Sequence, residues 1–309
     1  MPVQLLTLPQ LPAPNQQWQD TLIVGDSWEA VKHLPTNHVQ CIVTSPPYFG
    51  HRKYAEAQPL QSLEFGRETE LNVYIDKLVA LFATLKGVLT EDGTLWLNLG
   101  DTYRDHQLLG IPWRVALALQ DAGWILRSEV IWHKPNAMPS SVKNRPTVDH
   151  ETLFLFAKTP HYYYNADAIR EPHITFSDES KMRGGRKHLG KRDGTPEQGK
   201  NKGNNNLHDG RWDQAFHPLG RNKRTVWNIP LGKFRDAHFA VFPPKLVETC
   251  ILASSAEGQI VLDPFMGSGT TAMVVKQLNR YFIGVELVPE YAEMTLNRLK
   301  PLEQQPLLI

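Results

Sequence analysis

Two short stretches, far apart in the chain, hold residue types that could do chemistry. The first is Thr44-Ser45-Pro46-Pro47-Tyr48, directly after Val39-Gln40-Cys41-Ile42-Val43. That β-branched run reads as a buried strand. Two prolines stop it, because neither can donate to a ladder and both fix φ near about −65°. The tip left behind is stiff and extended. It offers a small hydroxyl at Ser45, backbone carbonyls released from pairing, and an aromatic face at Tyr48. Such a cup of acceptors beside a ring suits a planar heterocycle bearing an amino group. For so short a motif an ordinary strand-ending turn is the alternative.

The second stretch is Asp263-Pro264-Phe265-Met266-Gly267-Ser268-Gly269-Thr270-Thr271, between a strand and a helix. Gly267 and Gly269 let backbone approach a ligand, and a helix N-terminus offers N–H groups to a carboxylate. The Gly-Lys-Ser/Thr of a phosphate-binding loop is missing, as is the third glycine of the dinucleotide fingerprint. About 19 residues past Gly267 stands Glu286, at the end of the next strand. A carboxylate there accepts hydrogen bonds from ribose hydroxyls. A nucleoside with a carboxylate-bearing tail and no pyrophosphate fits, and S-adenosyl-L-methionine is such a molecule. A third stretch, His238 to Leu246, reads as an apolar turn entering a helix, placed to close over the glycine turn. Plain packing is its simpler reading.

The elements that must position these stretches alternate between strand and helix. Leu22 to Val24 forms a short strand ending in Gly25-Asp26, and Ser27 can cap the helix that follows. Phe49 to Glu70 lacks a clear period and reads as a long loop covering the site. Leu71 to Leu89 keeps helical spacing through Ile75, Leu78, Phe82 and Leu85. Asp92-Gly93 reads as a turn into the strand Thr94 to Leu99. Pro112 to Asp121 is a helix with proline near its start. Ile125 to His133 and Glu151 to Lys158 are β-rich and could pair antiparallel at a sheet edge. Alternation resumes with a helix (Pro244 to Ala253), strand (Gln259 to Asp263), helix (Thr270 to Leu278), strand (Tyr281 to Glu286) and helix (Pro289 to Leu299). One α/β, doubly wound, mostly parallel sheet with an insertion follows from this order.

Bulk composition narrows the function classes. The 309 residues are 41% hydrophobic and 21% charged, ordinary for a globular chain. No apolar run reaches the roughly 18 residues of a membrane span. Met1 to Asp20 is rich in Pro and Gln and does not read as a secretory signal. Cys41 and Cys250 are expected to be buried thiols in a reducing compartment, and neither lies near clustered ligands, so no metal site is expected. The net charge of +1 is unevenly spread: Arg170 to Arg235 holds about 15 Lys/Arg against about 7 Asp/Glu. Such a stretch suggests a basic module aimed at a polyanion, or a solvated loop that nucleic acid would order.

Taken together, the three motifs resemble the amino-methylating DNA methyltransferases, which methylate N4 of cytosine or N6 of adenine. Their catalytic tetrapeptide, Asp/Asn/Ser-Pro-Pro-Tyr/Phe/Trp, is matched by Ser45 to Tyr48. Their cofactor motif is matched by Asp263 to Gly269, and the motif preceding it by Phe239 to Leu246. The catalytic motif comes first, with a target-recognition region between, which is the order of the β group. The resemblance runs from Leu22 to Leu299 and implies a seven-stranded, Rossmann-like fold that binds S-adenosyl-L-methionine. It divides the chain into a catalytic part (1–165), a target-recognition region (166–235) and a cofactor part (236–309). It implies cofactor contacts at Asp26, Thr44, Phe242, Asp263, Phe265, Gly267, Gly269, Thr270 and Glu286. Asp26 would approach the adenine, Glu286 the ribose, and Asp263 with Gly267 the methionine end. Trp132 falls in the family's motif beside the flipped base.

A serine in the first position of the tetrapeptide usually marks N4-cytosine enzymes, with N6-adenine as the alternative. Ser45 and the Pro46 carbonyl would accept from the exocyclic amine, and Tyr48 would stack on the flipped base. No covalent intermediate is needed, in keeping with the lack of a Pro-Cys nucleophile. Arg183, Arg186, Arg192, Arg221 and Arg224 are candidates for reading guanine or touching phosphate. The implied partners are double-stranded DNA and a cognate restriction endonuclease, in the cytoplasm of a prokaryote or a phage-infected cell. An RNA or protein amide methyltransferase, and a non-catalytic DNA-binding protein on the same scaffold, are the rival classes.

Overall fold

The computed structural model describes residues 3–8, 11, 18–50, 60–172, 219–232 and 243–303. Phe242, Arg183, Arg186 and Arg192 lie outside these residues, as does most of the His238 to Leu246 stretch. Two compact units are present: Met1–Tyr164 with Thr225–Ile309, and Asn165–Arg224.

In the first unit the strands and helices run as follows. Strands β1 (Gln4–Thr7) and β2 (Thr21–Val24) precede α1 (Ser27–Ala30), and β3 (Val39–Thr44) leads into the Pro-Pro turn. Then come α2 (Leu60–Leu63), α3 (Leu71–Val88), β4 (Leu89–Leu99), a hairpin of β5 (Tyr103–Arg104) and β6 (Gln107–Leu108), and α4 (Ile111–Asp121). Strands β7 (Ile125–His133), β8 (His150–Ala157) and β9 (Val226–Asn228) complete one side. Helix α5 (Pro244–Ser254), β10 (Ile260–Asp263), α6 (Thr270–Gln277), β11 (Tyr281–Glu286) and α7 (Pro289–Glu303) close the order.

Among the described residues the large sheet has nine strands in the order β1-β2-β11-β10-β3-β4-β8-β7-β9. The inner seven match the expected number. The outer two are short edge strands, β1 pairing parallel with β2 and β9 parallel with β7. Pairing is parallel from β1 through β4, then antiparallel at β4–β8 and β8–β7. The two β-rich runs do pair antiparallel, but β9 covers β7, so they do not end the sheet.

Fully buried runs such as Val39–Thr44 are what a parallel sheet covered on both faces requires. Alternation sorts the faces. Ile42, Leu95, Leu262 and Ile283 join one core cluster with Leu78, Phe82 and Leu85 of α3 and Val115 and Leu119 of α4. Intervening residues such as Cys41, Val43 and Val261 are equally buried but belong to the opposite face, where α5, α6 and α7 pack. Burial pushes the Cys41 thiol up to about 12, which makes it an inert packing residue.

One local expectation is met and one is corrected. β4 spans Leu89 to Leu99, but its pairing with β3 skips from Leu89 to Thr94 opposite Val39 and Cys41, so Asp92-Gly93 sits in a bulge and the regular ladder begins at Thr94, where the sequence places the strand. The α1 cap is Asp26, whose carboxylate accepts from the Trp28 N–H at 3.3 Å, while the Ser27 hydroxyl donates to the Pro264 carbonyl. Either side chain could cap; the neighbouring glycine turn takes the serine.

Candidate active site

Strands β3 and β10 are adjacent in the sheet, and this is where the chain order reverses. From β3 the chain crosses through α3 to β4 on one side, and from β10 through α6 to β11 on the other. Ligands of open α/β sheets bind in the crevice outside the carboxyl ends of strands at such a point. The two motifs singled out in the sequence follow the ends of those two strands.

Asp263 joins them. It is fully buried at the end of β10 and accepts from the Thr44 hydroxyl at 2.7 Å, the Thr271 hydroxyl at 2.6 Å and the Phe265 N–H at 3.0 Å. Burial raises its pKa to about 6, and the three donors pull the other way. Three internal donors make Asp263 a clamp holding the residue before Ser45 against the glycine turn and α6.

Glu286 behaves alike at the end of β11. Its carboxylate accepts from the Gly267 N–H at 2.7 Å and the Val288 N–H at 2.8 Å. Burial raises it to about 7, against the pull of the Val288, Gly267 and Leu287 N–H groups. The Gly267 N–H is therefore committed to Glu286. Gly269 is the left-handed N-cap of α6, so Thr270 starts that helix. Thr270 is buried, and its hydroxyl lies 3.3 Å from Arg298.

Beside these strand ends lies a cavity of about 540 Å³ lined by Asp26, Trp28, Phe65 and Lys77 among others. The Gly25 N–H donates to the Glu286 carbonyl at 2.8 Å, tying the cavity's Asp26 side to the end of β11. Phe65 meets Phe265 of the glycine turn edge-on at 5.1 Å between centroids. Asp26 is raised by burial, with its helix-capping N–H bonds opposing.

The Pro-Pro turn is built differently. The Tyr48 hydroxyl donates to Glu151 at 2.7 Å, and the Asn98 amide donates to both, at 2.7 Å each. Ser45 Oγ lies 3.1 Å from the same hydroxyl. Lys134 pairs with the other Glu151 oxygen and sits over the Trp132 ring at 4.5 Å. Burial, and then the Glu151 charge, push the Tyr48 hydroxyl well above the usual phenol range, which keeps it a donor. The turn is braced from α3 as well, where the Tyr74 hydroxyl donates to the Pro47 carbonyl at 2.9 Å.

Two glycines make room for the turn. A Cβ on Gly100 would stand 2.4 Å from Tyr48 Cε2, so the ring packs directly on that backbone. Gly66 adopts φ +85°, and a Cβ there would stand 2.6 Å from the Tyr48 carbonyl.

Asn98, Glu151 and Lys134 were not among the residues singled out from the sequence. The available signal was an amide inside the apolar run Leu95-Trp96-Leu97-Asn98-Leu99: a buried amide needs partners. Trp132 is placed otherwise than the resemblance implies. It is 2% exposed, and its indole N–H donates to the Ile229 carbonyl at 2.8 Å. A ring that is packed and hydrogen-bonded there supports Lys134; it is not a stacking face.

In the unit Asn165–Arg224, Arg221 pairs with Glu171 at 3.0 Å and bonds it through backbone on both sides. That engagement makes Arg221 a brace of its own unit rather than an open reader. Arg224 is exposed there, and its backbone N–H reaches Glu171 at 3.4 Å. Among the described residues no cluster could hold a metal ion, and no helix is long and apolar enough to cross a membrane.

The DNA methylase family model matches residues 39–297. The chain belongs to the N6/N4 DNA methylase family. This methylase is 39% identical to the Type II methyltransferase M.Cfr9I of Citrobacter freundii, over 91% of this chain and 87% of that one. It is 37% identical to M.SmaI of Serratia marcescens, over 90% of each. Among solved structures, the cytosine-N4-specific PvuII DNA methyltransferase superposes with a TM-score of 0.63 at 19% identity, covering 93% and 87% of the two chains. The M1.HpyAVI–SAM complex superposes at 0.55 with 19% identity, covering 90% and 98%. These two likenesses place the methylase in the Rossmann-like fold.

Proposed function

We propose that this methylase transfers a methyl group from S-adenosyl-L-methionine to the exocyclic N4 of a flipped cytosine in double-stranded DNA. The observation that carries the reading is the adjacency of Ser45 and Asp263 across β3 and β10, with Thr44 hydrogen-bonded to Asp263 at 2.7 Å. A base-holding turn and a nucleoside-binding turn thereby meet at one crevice.

The residues fit such a cofactor. The cavity beside Asp26 and Trp28 is of ligand size, and Glu286 ends the neighbouring strand as a buried carboxylate suited to ribose hydroxyls. When bound, the sulfonium supplies an activated methyl group. The protein's own part is positioning. Ser45 Oγ and the Pro46 carbonyl accept from the amine and orient its lone pair, and Tyr48 offers its ring to the extruded base. Asp263 and Glu286, each locked by internal donors, keep the two turns in register.

Cytosine is favoured over adenine by Ser45, a neutral hydroxyl where the resembling adenine enzymes usually hold an aspartate. The Type II relatives support a modification role beside a restriction endonuclease of the same site. Target recognition is assigned to the unit Asn165–Arg224 and the basic stretch around it, with Arg183, Arg186, Arg192 and Arg224 as candidate DNA contacts.

Mass spectrometry of nucleosides from host DNA carrying the active protein, beside a Ser45→Ala control, tests the reading. N4-methylcytosine in the first sample only is expected. N6-methyladenine instead would overturn the cytosine assignment, and no methylated base in either would overturn the whole proposal.

A further inference from the structure

The hydrogen bonds around Tyr48 have a direction that can be worked out. Glu151 Oε2, in a carboxylate ion-paired with Lys134 through its other oxygen, is an acceptor. The Tyr48 hydroxyl, 2.7 Å away, therefore spends its one proton on Glu151. The Asn98 amide donates to Tyr48 Oη and Glu151 Oε2, each at 2.7 Å, and reaches Ser45 Oγ more weakly at 3.4 Å. Facing two such oxygens, the Asn98 side chain must present nitrogen, which fixes its orientation. The contact between Ser45 Oγ and Tyr48 Oη at 3.1 Å then leaves only one donor, the serine. Ser45 is thus a hydroxyl whose proton points inward, with a lone pair left for a donor on its other side.

From this chain we propose that Glu151 is the proton-accepting end of a relay, Ser45 to Tyr48 to Glu151, that drains the target amine during methyl transfer. The inference rests on the methyl-transfer reading of the site. As the amine nitrogen gains its methyl and the sulfonium loses it, one N–H proton must leave. It passes to Ser45 Oγ as the serine proton moves to Tyr48 Oη and the tyrosine proton moves to Glu151 Oε2. One O–H bond forms and one breaks at Ser45 and at Tyr48, one O–H bond forms at Glu151, and the amine's lost proton neutralises the Glu151 carboxylate. The Glu151 side chain is 17% exposed and the Lys134 side chain 16%, so water can reach the end of the chain and reset it. Glu151 touches no reacting atom; it acts through Tyr48.

A double-mutant cycle on the single-turnover methylation rate, with cofactor and DNA saturating, separates this role from a structural one. Glu151→Gln keeps an acceptor oxygen for Tyr48 and Asn98 but cannot take a proton. Tyr48→Phe keeps the ring on Gly100 and removes the middle of the relay. Each is expected to slow the rate by about 30-fold or more while cofactor and DNA affinities stay within about threefold. The double variant should be no more than about threefold slower than the slower single, because both break the same chain. Losses that multiply, or a rate within about threefold of the parent in either single variant, overturn the relay. Should Glu151→Gln fail to fold, Tyr48→Phe alone still decides, since a near-parent rate there is incompatible with the proposal. If the parent protein itself methylates no DNA amine, the functional reading fails and not the relay.

Discussion

The glycine-turn half and the Pro-Pro half of the crevice both hold a carboxylate near a strand end, and they hold it in opposite ways. Asp263 and Glu286 are desolvated and satisfied by neutral donors. Among the described residues neither has a cation beside it, and burial lifts both toward neutrality. Glu151 instead has a lysine on one oxygen and a tyrosine and an amide on the other. The first arrangement fixes backbone: it clamps turns that must present fixed geometry to a cofactor. The second arrangement can accept a proton and pass it on. A cleft that only binds needs the first kind; one that also moves a proton needs the second.

The largest expected effect lies on the Pro-Pro side. Ser45→Ala removes the acceptor at the reacting nitrogen and the entry to the proton chain, and should lower the turnover rate by about 10³-fold. Calorimetric affinity for the cofactor should stay near that of the parent, because the serine belongs to the other half. A variant retaining more than about a tenth of the parent rate would erase the contrast between the halves. Asp263→Ala is the counterpart. It strips an acceptor from two hydroxyls and one N–H, all in or beside buried positions, at about 1–3 kcal/mol for each group left unsatisfied. Removal of a desolvated carboxylate offsets part of that, so cofactor affinity is expected to fall by about 100-fold. Unchanged affinity would show that the clamp is dispensable.

Much of this division was legible in the chain. The buried run Val39 to Val43 and the paired prolines mark a strand tip, because both follow from local chemistry. The glycine turn and Glu286 are legible for the same reason, as neighbours across one βαβ unit. What stayed hidden was assembled from distance. Glu151 opens an apolar run, Asn98 sits within one, and Lys134 follows a strand; only the pairing of β4, β8 and β7 puts them under Tyr48. The aspartate–glycine pair at Asp92-Gly93 was legible, because it marks the bulge after which the regular β4 ladder begins at Thr94. Gln40 donates to the Asp92 side chain there at 3.3 Å. Strand β9 is three residues, too short for any period to show.

An intermediate effect is expected where the ring of the Pro-Pro half meets backbone. Gly100→Ala would set a methyl group 2.4 Å from Tyr48 Cε2, a contact that cannot persist. The ring must swing, and its hydroxyl leaves Glu151 and Asn98. Misplacement by about 1 Å can cost roughly 10²-fold, and partial relaxation should bring the loss in single-turnover rate nearer 10–30-fold. Cofactor affinity is expected to be untouched. A loss of affinity equal to the loss of rate would show that the two halves are one rigid body rather than two separable devices.

The smallest effect is a pH dependence confined to the glycine-turn half. Ribose hydroxyls donate, so they favour the ionised form of Glu286. With its pKa raised to about 7 by burial, the free protein carries that carboxylate protonated at lower pH. Cofactor affinity should therefore rise with pH through about 7, by up to roughly tenfold between pH 6 and pH 8. Asp263, raised only to about 6, adds its own weakening below that window. Titration calorimetry across the range, repeated with Glu286→Gln, checks the assignment. The variant should bind more weakly at pH 8 and give a nearly flat curve. A curve as steep as the parent's would place the titrating group elsewhere, and with it the ribose.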